Sequence, residues 1–130
     1  MSQEKVEVVR KTLARLNRGE DVRDVLSPDV VFEVHVGPEP GEYRGIEAVV
    51  DYYRRYFGTW EGFRVVIDEL RGLPDGRVFV AARDTGRGKA SGVDVEMNVF
   101  QVWTFDEARV VAWQGFSTRD EALEAAGLRE

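Results

Sequence analysis

Few groups in this chain are placed to do acid–base chemistry. Asp84 follows Val78, Val80 and Ala82 at every second position, on a face without a cation. The alternate positions hold Arg77, Phe79, Ala81, Arg83 and Thr85. A carboxyl at the end of the first face points inward or at its rim. Desolvation there disfavours the charged form and raises the pKa, as general acid or base work near neutrality requires. Pairing with a neighbouring arginine, or solvation at the strand end, is the structural alternative. Gln101 is the polar exception on a face otherwise made of Val93, Val95, Met97, Val99, Trp103 and Phe105. An unpaired buried amide costs about 1–3 kcal/mol, so Gln101 needs a partner. A ligand carbonyl, the Tyr53 hydroxyl or a water could serve. An amide can donate to an oxyanion but cannot act as a base. Tyr53 falls on the helical face Ile46, Val49, Val50, Tyr53 and Phe57, which puts Tyr52 and Tyr56 on the exposed or rim side. Trp60, Trp103 and Trp113 are candidate walls for a flat apolar ligand, or ordinary core packing.

Other chemistries are excluded by residue type. His35, the single histidine, shares a polar strand face with Glu33, opposite Phe32 and Val34, and so turns away from the core. No Gly-x-Ser-x-Gly elbow accompanies it. Gly86-Arg87-Gly88-Lys89 imitates a phosphate loop, but Ala90 stands where Ser or Thr should follow, and no helix begins there. The absence of cysteine removes disulfides, zinc fingers and thiol nucleophiles. One histidine removes HExxH and polyhistidine sites, so neither a metal nor a cofactor is expected. With 24 acidic against 18 basic residues the net charge is −6, which argues against nucleic acid as a partner. No apolar run approaches the roughly 18 residues of a membrane span, and the N-terminus is charged from Glu4. A cytoplasmic domain spanning residues 1–130 is the expectation.

The elements that must position these groups follow from periodicity. Val6, Val9, Leu13 and Leu16 mark a helix over 4–18, ended by Gly19. Asp21 is placed to cap a short helix with Val22, Val25 and Leu26 inward, stopped by Ser27-Pro28. Val30, Phe32, Val34 and Val36 alternate along a strand over 29–36, and Gly37–Gly41 reads as a loop. Helical spacing returns from Ile46 to Phe57. Strands are predicted near 62–71, 77–85, 93–105 and 109–117, although parity does not decide which face of the last one points inward. Thr118 and Glu121 have capping-box spacing before a final helix. Helices grouped ahead of consecutive antiparallel strands define an α+β class, with a curved sheet wrapped over helices.

This order resembles the nuclear transport factor 2-like (NTF2-like) superfamily, which includes ketosteroid isomerase and the SnoaL-like polyketide cyclases. The likeness is carried by Tyr43-Arg44-Gly45-Ile46-Glu47-Ala48-Val49, by the stretch from Gly86 to Glu96, and by Val102-Trp103-Thr104-Phe105-Asp106 with the ending from Glu121 to Leu128. Together they are similar to SnoaL-like proteins of actinobacterial type. The resemblance implies a cone-shaped fold with the N-terminal helices in the concave face of a mainly antiparallel sheet. It also implies a homodimer packed through the sheet, and Phe79, Phe100 and Val102 read as its outward-facing contributors. Ketosteroid isomerase uses a strand carboxylate as base, with a tyrosine and a protonated acid as oxyanion hole. Those positions fall on Val34, near Thr12 and on Gln101, so that activity does not transfer. The implied cavity wall is Phe32, Val34, Tyr53, Gln101 and Trp113, with Trp103 beside them. The expected function is a small-molecule pocket protein, as an enzyme a cofactor-independent isomerase, cyclase or hydrolase. Its ligand would be an apolar cyclic carbonyl compound. Asp84 would move the proton, while Gln101 and Tyr53 hold the oxyanion. A non-catalytic binding or dimerising module of the same fold is the alternative.

Overall fold

The computed structural model describes residues 2–128. Along the chain lie α1 (Ser2–Asn17), a 3-10 turn (Arg23–Val25), β1 (Leu26–Val34), β2 (Gly41–Arg44) and α2 (Ile46–Gly58). Then follow β3 (Trp60–Gly72), β4 (Val78–Gly88), β5 (Asp94–Asp106), β6 (Arg109–Phe116) and α3 (Arg119–Ala125). The six strands form one mixed sheet in the order β2-β1-β6-β5-β4-β3. β1 runs parallel to β6, and every other neighbouring pair is antiparallel.

Alternation along the strands divides the core in two. On the concave face, Val6, Val9 and Leu13 of α1 and Val49 of α2 pack on Val30, Val78, Val80, Ala82 and Trp103. On the convex face, Ala122, Leu123 and Ala126 lie on Phe79, Ala81, Val102 and Phe116. The predicted cap forms at α3, where the Thr118 hydroxyl accepts from the Glu121 amide at 3.3 Å and donates to its carboxylate at 2.8 Å. Among the described residues no helix is long and apolar enough to cross a membrane.

Several expectations are corrected. Phe79 and Val102 are not exposed: α3 folds back over them and both are fully buried, which leaves Phe100 half-buried. The outward aromatics of β4 and β5 therefore serve the chain's own second core. Asp21 caps no α-helix; its carboxylate instead accepts from the Arg23 amide across a 3-10 turn. Ser27-Pro28 does not precede the strand but lies inside β1, where the register with β6 shifts and a missing N–H costs no ladder bond. The Gly/Pro-rich loop closes into a four-residue strand, β2, paired with Val31–Val34. β1 ends at Val34, with His35 and Val36 beyond it.

The C-terminus of α1 is tied to the sheet by a contact that periodicity cannot express. Asn17 donates to the Val65 carbonyl at 2.9 Å and accepts from the Val65 amide at 2.7 Å. Its side-chain amide thus substitutes for a neighbouring strand on edge strand β3. Asn17→Ala is expected to lower stability by about 1–2 kcal/mol, read from urea midpoints. An unchanged midpoint would show that the edge is satisfied equally well by water.

Candidate functional site

The concave face does not close completely over α1 and α2. Between them lies a cavity of about 90 Å³, several times the space one water needs. Its wall includes Leu13 and Leu16 from α1, Tyr52, Tyr53, Tyr56 and Phe57 from α2, Phe32 from β1, Asp84 from β4, Met97, Val99, Gln101 and Trp103 from β5, and Trp113 from β6. Among the described residues, no Lys, Arg or His lines it.

Asp84 points inward, as its parity requires. The residue is 7% exposed and reaches the cavity wall. The Tyr56 hydroxyl donates to Asp84 Oδ2 at 2.6 Å, a short charge-assisted bond. Burial lifts the carboxyl to about 6, against the opposing pull of the Tyr56 bond. No other hydrogen bond to the Asp84 carboxylate occurs among the described residues, and Oδ1 is not sealed from the cavity.

Tyr52 and Tyr56 lie on the core side of α2, not on the rim side that helical spacing predicts. They are 7% and 9% exposed, one turn apart and stacked at 6.1 Å. Tyr53 and Phe57, the expected core positions, are half-buried and line the cavity from its outer side. Tyr52 lines the cavity beside them, and its hydroxyl takes part in no hydrogen bond among the described residues. Burial first, then the neighbouring Tyr43 and Asp84, push its ionisation well above the usual phenol range, so it stays a neutral donor. Tyr56 is pushed up likewise, by burial and then by Asp84.

The other predicted residues separate into those that line the cavity and those that do not. Phe32 and Trp113 are stacked at 4.9 Å within the wall. Val34 does not line it: fully buried, it packs with Tyr52 and Tyr56 behind the wall, and Val36 lines the cavity instead. Trp60 packs edge-on against Tyr56 and Phe63 outside the cavity. His35 lies on the convex side, stacked on Phe116 at 4.9 Å, half-exposed as its parity implies. Thr12 is buried at the cavity, but its hydroxyl donates to the Val8 carbonyl at 2.7 Å.

Gln101 finds its partners in two indoles rather than in Tyr53. Its Oε1 accepts from Trp103 Nε1 at 2.8 Å and from Trp113 Nε1 at 3.2 Å. Gly115, directly across from Gln101, makes this reach feasible. A Cβ at Gly115 would stand 2.2 Å from the Trp113 ring, so the indole lies over a bare backbone. The last strand thus turns Trp113 and Gly115 inward, which parity alone leaves undecided. Asp84 and Gln101 are well separated. Val80 pairs with Gln101, and Asp84 lies four residues further along β4, a backbone spacing of roughly 13 Å between Cα atoms. The two groups thus lie towards different parts of the cavity wall.

Helices packed in the concave face of a curved mixed sheet, over an apolar cavity, define a fold of the NTF2-like type. The chain belongs to the SnoaL-like domain family, whose model matches residues 9–113. Comparison with curated proteins gave no match. Among solved structures, the chain is similar to Bal32a from a soil-derived mobile gene cassette. That likeness has 22% identity, a TM-score of 0.79, and coverage of 95% of this chain and 96% of the other. It is similar to an NTF2-like protein from Burkholderia thailandensis E264, at 23% identity and TM-score 0.77 over 92% and 96% of the two chains. It is also similar to SalBIII, an epoxide hydrolase/cyclase-like enzyme of pyran ring formation in salinomycin, at 19% identity and TM-score 0.78 over 92% and 96%. At these identities the structural likeness establishes the fold alone.

Proposed function

We propose that this protein is a cofactor-independent acid–base enzyme acting on an apolar, ring-bearing carbonyl compound, with Asp84 as the group that moves the proton. One observation carries the reading: a carboxyl on the wall of an apolar cavity, lifted to about 6 by burial and oriented by Tyr56 at 2.6 Å. At neutral pH such a group is largely ionised yet basic enough to accept a proton, the condition for general base catalysis. Oδ1 takes a proton from the carbon next to the ligand carbonyl, and the electron pair of that C–H bond moves to the carbonyl oxygen as an enolate. Tyr52 is the neighbouring neutral donor suited to the oxyanion, in place of Tyr53 and Gln101. The protonated Asp84 then returns its proton to another carbon, giving an isomer, or to the oxygen left after the enolate carbon has closed a ring. The family supports a small-molecule role, and SalBIII, on the same fold, takes part in ring formation.

Proton NMR in D2O tests this whatever the final product. A panel of cyclic ketones and polyketide-like aromatic ketones is incubated with the protein, and loss of the α-proton signal is followed. Exchange above background is expected for at least one member, rising through pH about 6 and then level. Asp84→Asn should slow it by about 10²–10⁴-fold. Binding without exchange, or exchange indifferent to Asp84→Asn, would make the protein a carrier of such ligands instead.

A further inference from the structure

The Gln101 end of the cavity has a chemistry of its own. An indole N–H can only donate, so two indoles converging on one primary amide must both meet its oxygen. The bonds from Trp103 and Trp113 therefore fix which way the amide is turned. Oε1 is fully used, and the NH₂ group points away from both rings. That NH₂ makes no hydrogen bond among the described residues, although Gln101 is only 4% exposed and lines the cavity. The NH₂ is not sealed in the core but opens on the cavity, where an acceptor, water or a ligand oxygen, can meet it. Thr12 is no substitute, since its hydroxyl is committed to the Val8 carbonyl. The acceptor is also restricted in charge. With no Lys, Arg or His among the described residues that line the cavity, a carboxylate or phosphate there would be desolvated without compensation.

We propose that the Gln101 amide, locked by Trp103 and Trp113, is the specificity-determining donor of this cavity and selects ligands bearing a neutral acceptor oxygen, a ketone or quinone carbonyl, at the end remote from Asp84. Trp103 and Trp113 act as positioning residues. The inference rests on the cavity being the ligand site, but not on Asp84 being catalytic. It narrows the substrate to a molecule with two functional ends: an acidic C–H at Asp84 and a second oxygen at Gln101, four residues along the strand direction.

The probe pair is 1-tetralone and tetralin, which share a bicyclic skeleton and differ by the carbonyl. Both are titrated into ¹⁵N-labelled protein, and affinities are read from amide and indole N–H signals. Tetralone is expected to bind about tenfold more tightly, as one well-made hydrogen bond to a buried donor allows. Its binding should shift the Trp103 and Trp113 indole signals. Gln101→Met should abolish the preference while leaving the tetralin affinity in place. Trp113→Phe keeps an aromatic wall but removes one of the two donors, so it should reduce the preference even if Gln101→Met fails to fold. Equal binding of the two probes by the native protein would overturn the inference while leaving the cavity reading intact. So would a preference that survives Gln101→Met. If neither probe bound, the cavity reading itself would fail and the inference with it.

Discussion

Asp84→Asn is expected to make the protein more stable at neutral pH while removing its proton transfer. The sign follows from burial. The folded carboxyl titrates near 6, above its ordinary 3.8. Below about pH 3.8 the folded and unfolded chains both hold the proton, and the group costs nothing. As pH rises towards 6 the unfolded chain releases its proton while the folded one keeps it, so stability falls. By about pH 7 the loss is nearly complete, at about 3 kcal/mol for a difference between 3.8 and about 6. An amide at this position carries no charge, and its oxygen still accepts the Tyr56 hydrogen bond. The difference in unfolding free energy, variant minus native, should therefore grow by about 2 kcal/mol between pH 4 and pH 7. Surface carboxylates held below their usual range by arginines titrate alike in both proteins and cancel: Asp24 by Arg15, Asp68 by Arg83 and Asp75 by Arg77. Urea unfolding of both proteins at four pH values between 4 and 7 measures the difference. Parallel curves would mean that Asp84 is not desolvated as described, and the case for it as the base would collapse with them.

Such a trade-off fits the role proposed for Asp84, because an uncharged amide could accept the Tyr56 hydrogen bond equally well. It also explains why the residue is legible in the sequence. Strand parity is binary, so a polar residue in phase with Val78, Val80 and Ala82 must face inward, and Asp84 and Gln101 both stand out this way. Helix phase is a continuous angle. In Tyr52-Tyr53-x-x-Tyr56-Phe57 two adjacent rows of aromatics lie about 100° apart. Either row can serve as the buried face, and α2, held within a cone, buries both in part. Spacing along α2 therefore does not reveal Tyr56 as the partner of Asp84, or Tyr52 as a donor. The convex face is illegible for another reason. Phe79 and Val102 read as outward aromatic and apolar positions, which they are. What covers them is α3, and no local pattern says that a C-terminal helix folds back over the sheet. The overall class needs only the order of elements, which the pairing of β1 with both β2 and β6 leaves unchanged.

Gly115→Ala is the substitution whose cost should exceed its size. One added methyl would stand 2.2 Å from the Trp113 ring, closer than any packing tolerates. The indole must swing out of its place. Doing so breaks its stacking on Phe32 and its bond to Gln101 Oε1. Overpacking of this kind costs about 1–3 kcal/mol. A loss of that size could come from backbone strain alone, so the decisive measurement is a double-mutant cycle. In a Trp113→Val background the colliding ring atoms are absent, and Gly115→Ala should then be nearly neutral. The coupling energy should equal most of the single-variant cost. A second consequence separates ring displacement from simple destabilisation. Displacing one indole frees the Gln101 amide, so Gly115→Ala should weaken the preference for tetralone over tetralin while leaving the environment of Asp84 as it was. If the cycle were additive, Gly115 would be a backbone requirement of β6, and Trp113 would owe its position to Phe32 rather than to the empty side of the glycine.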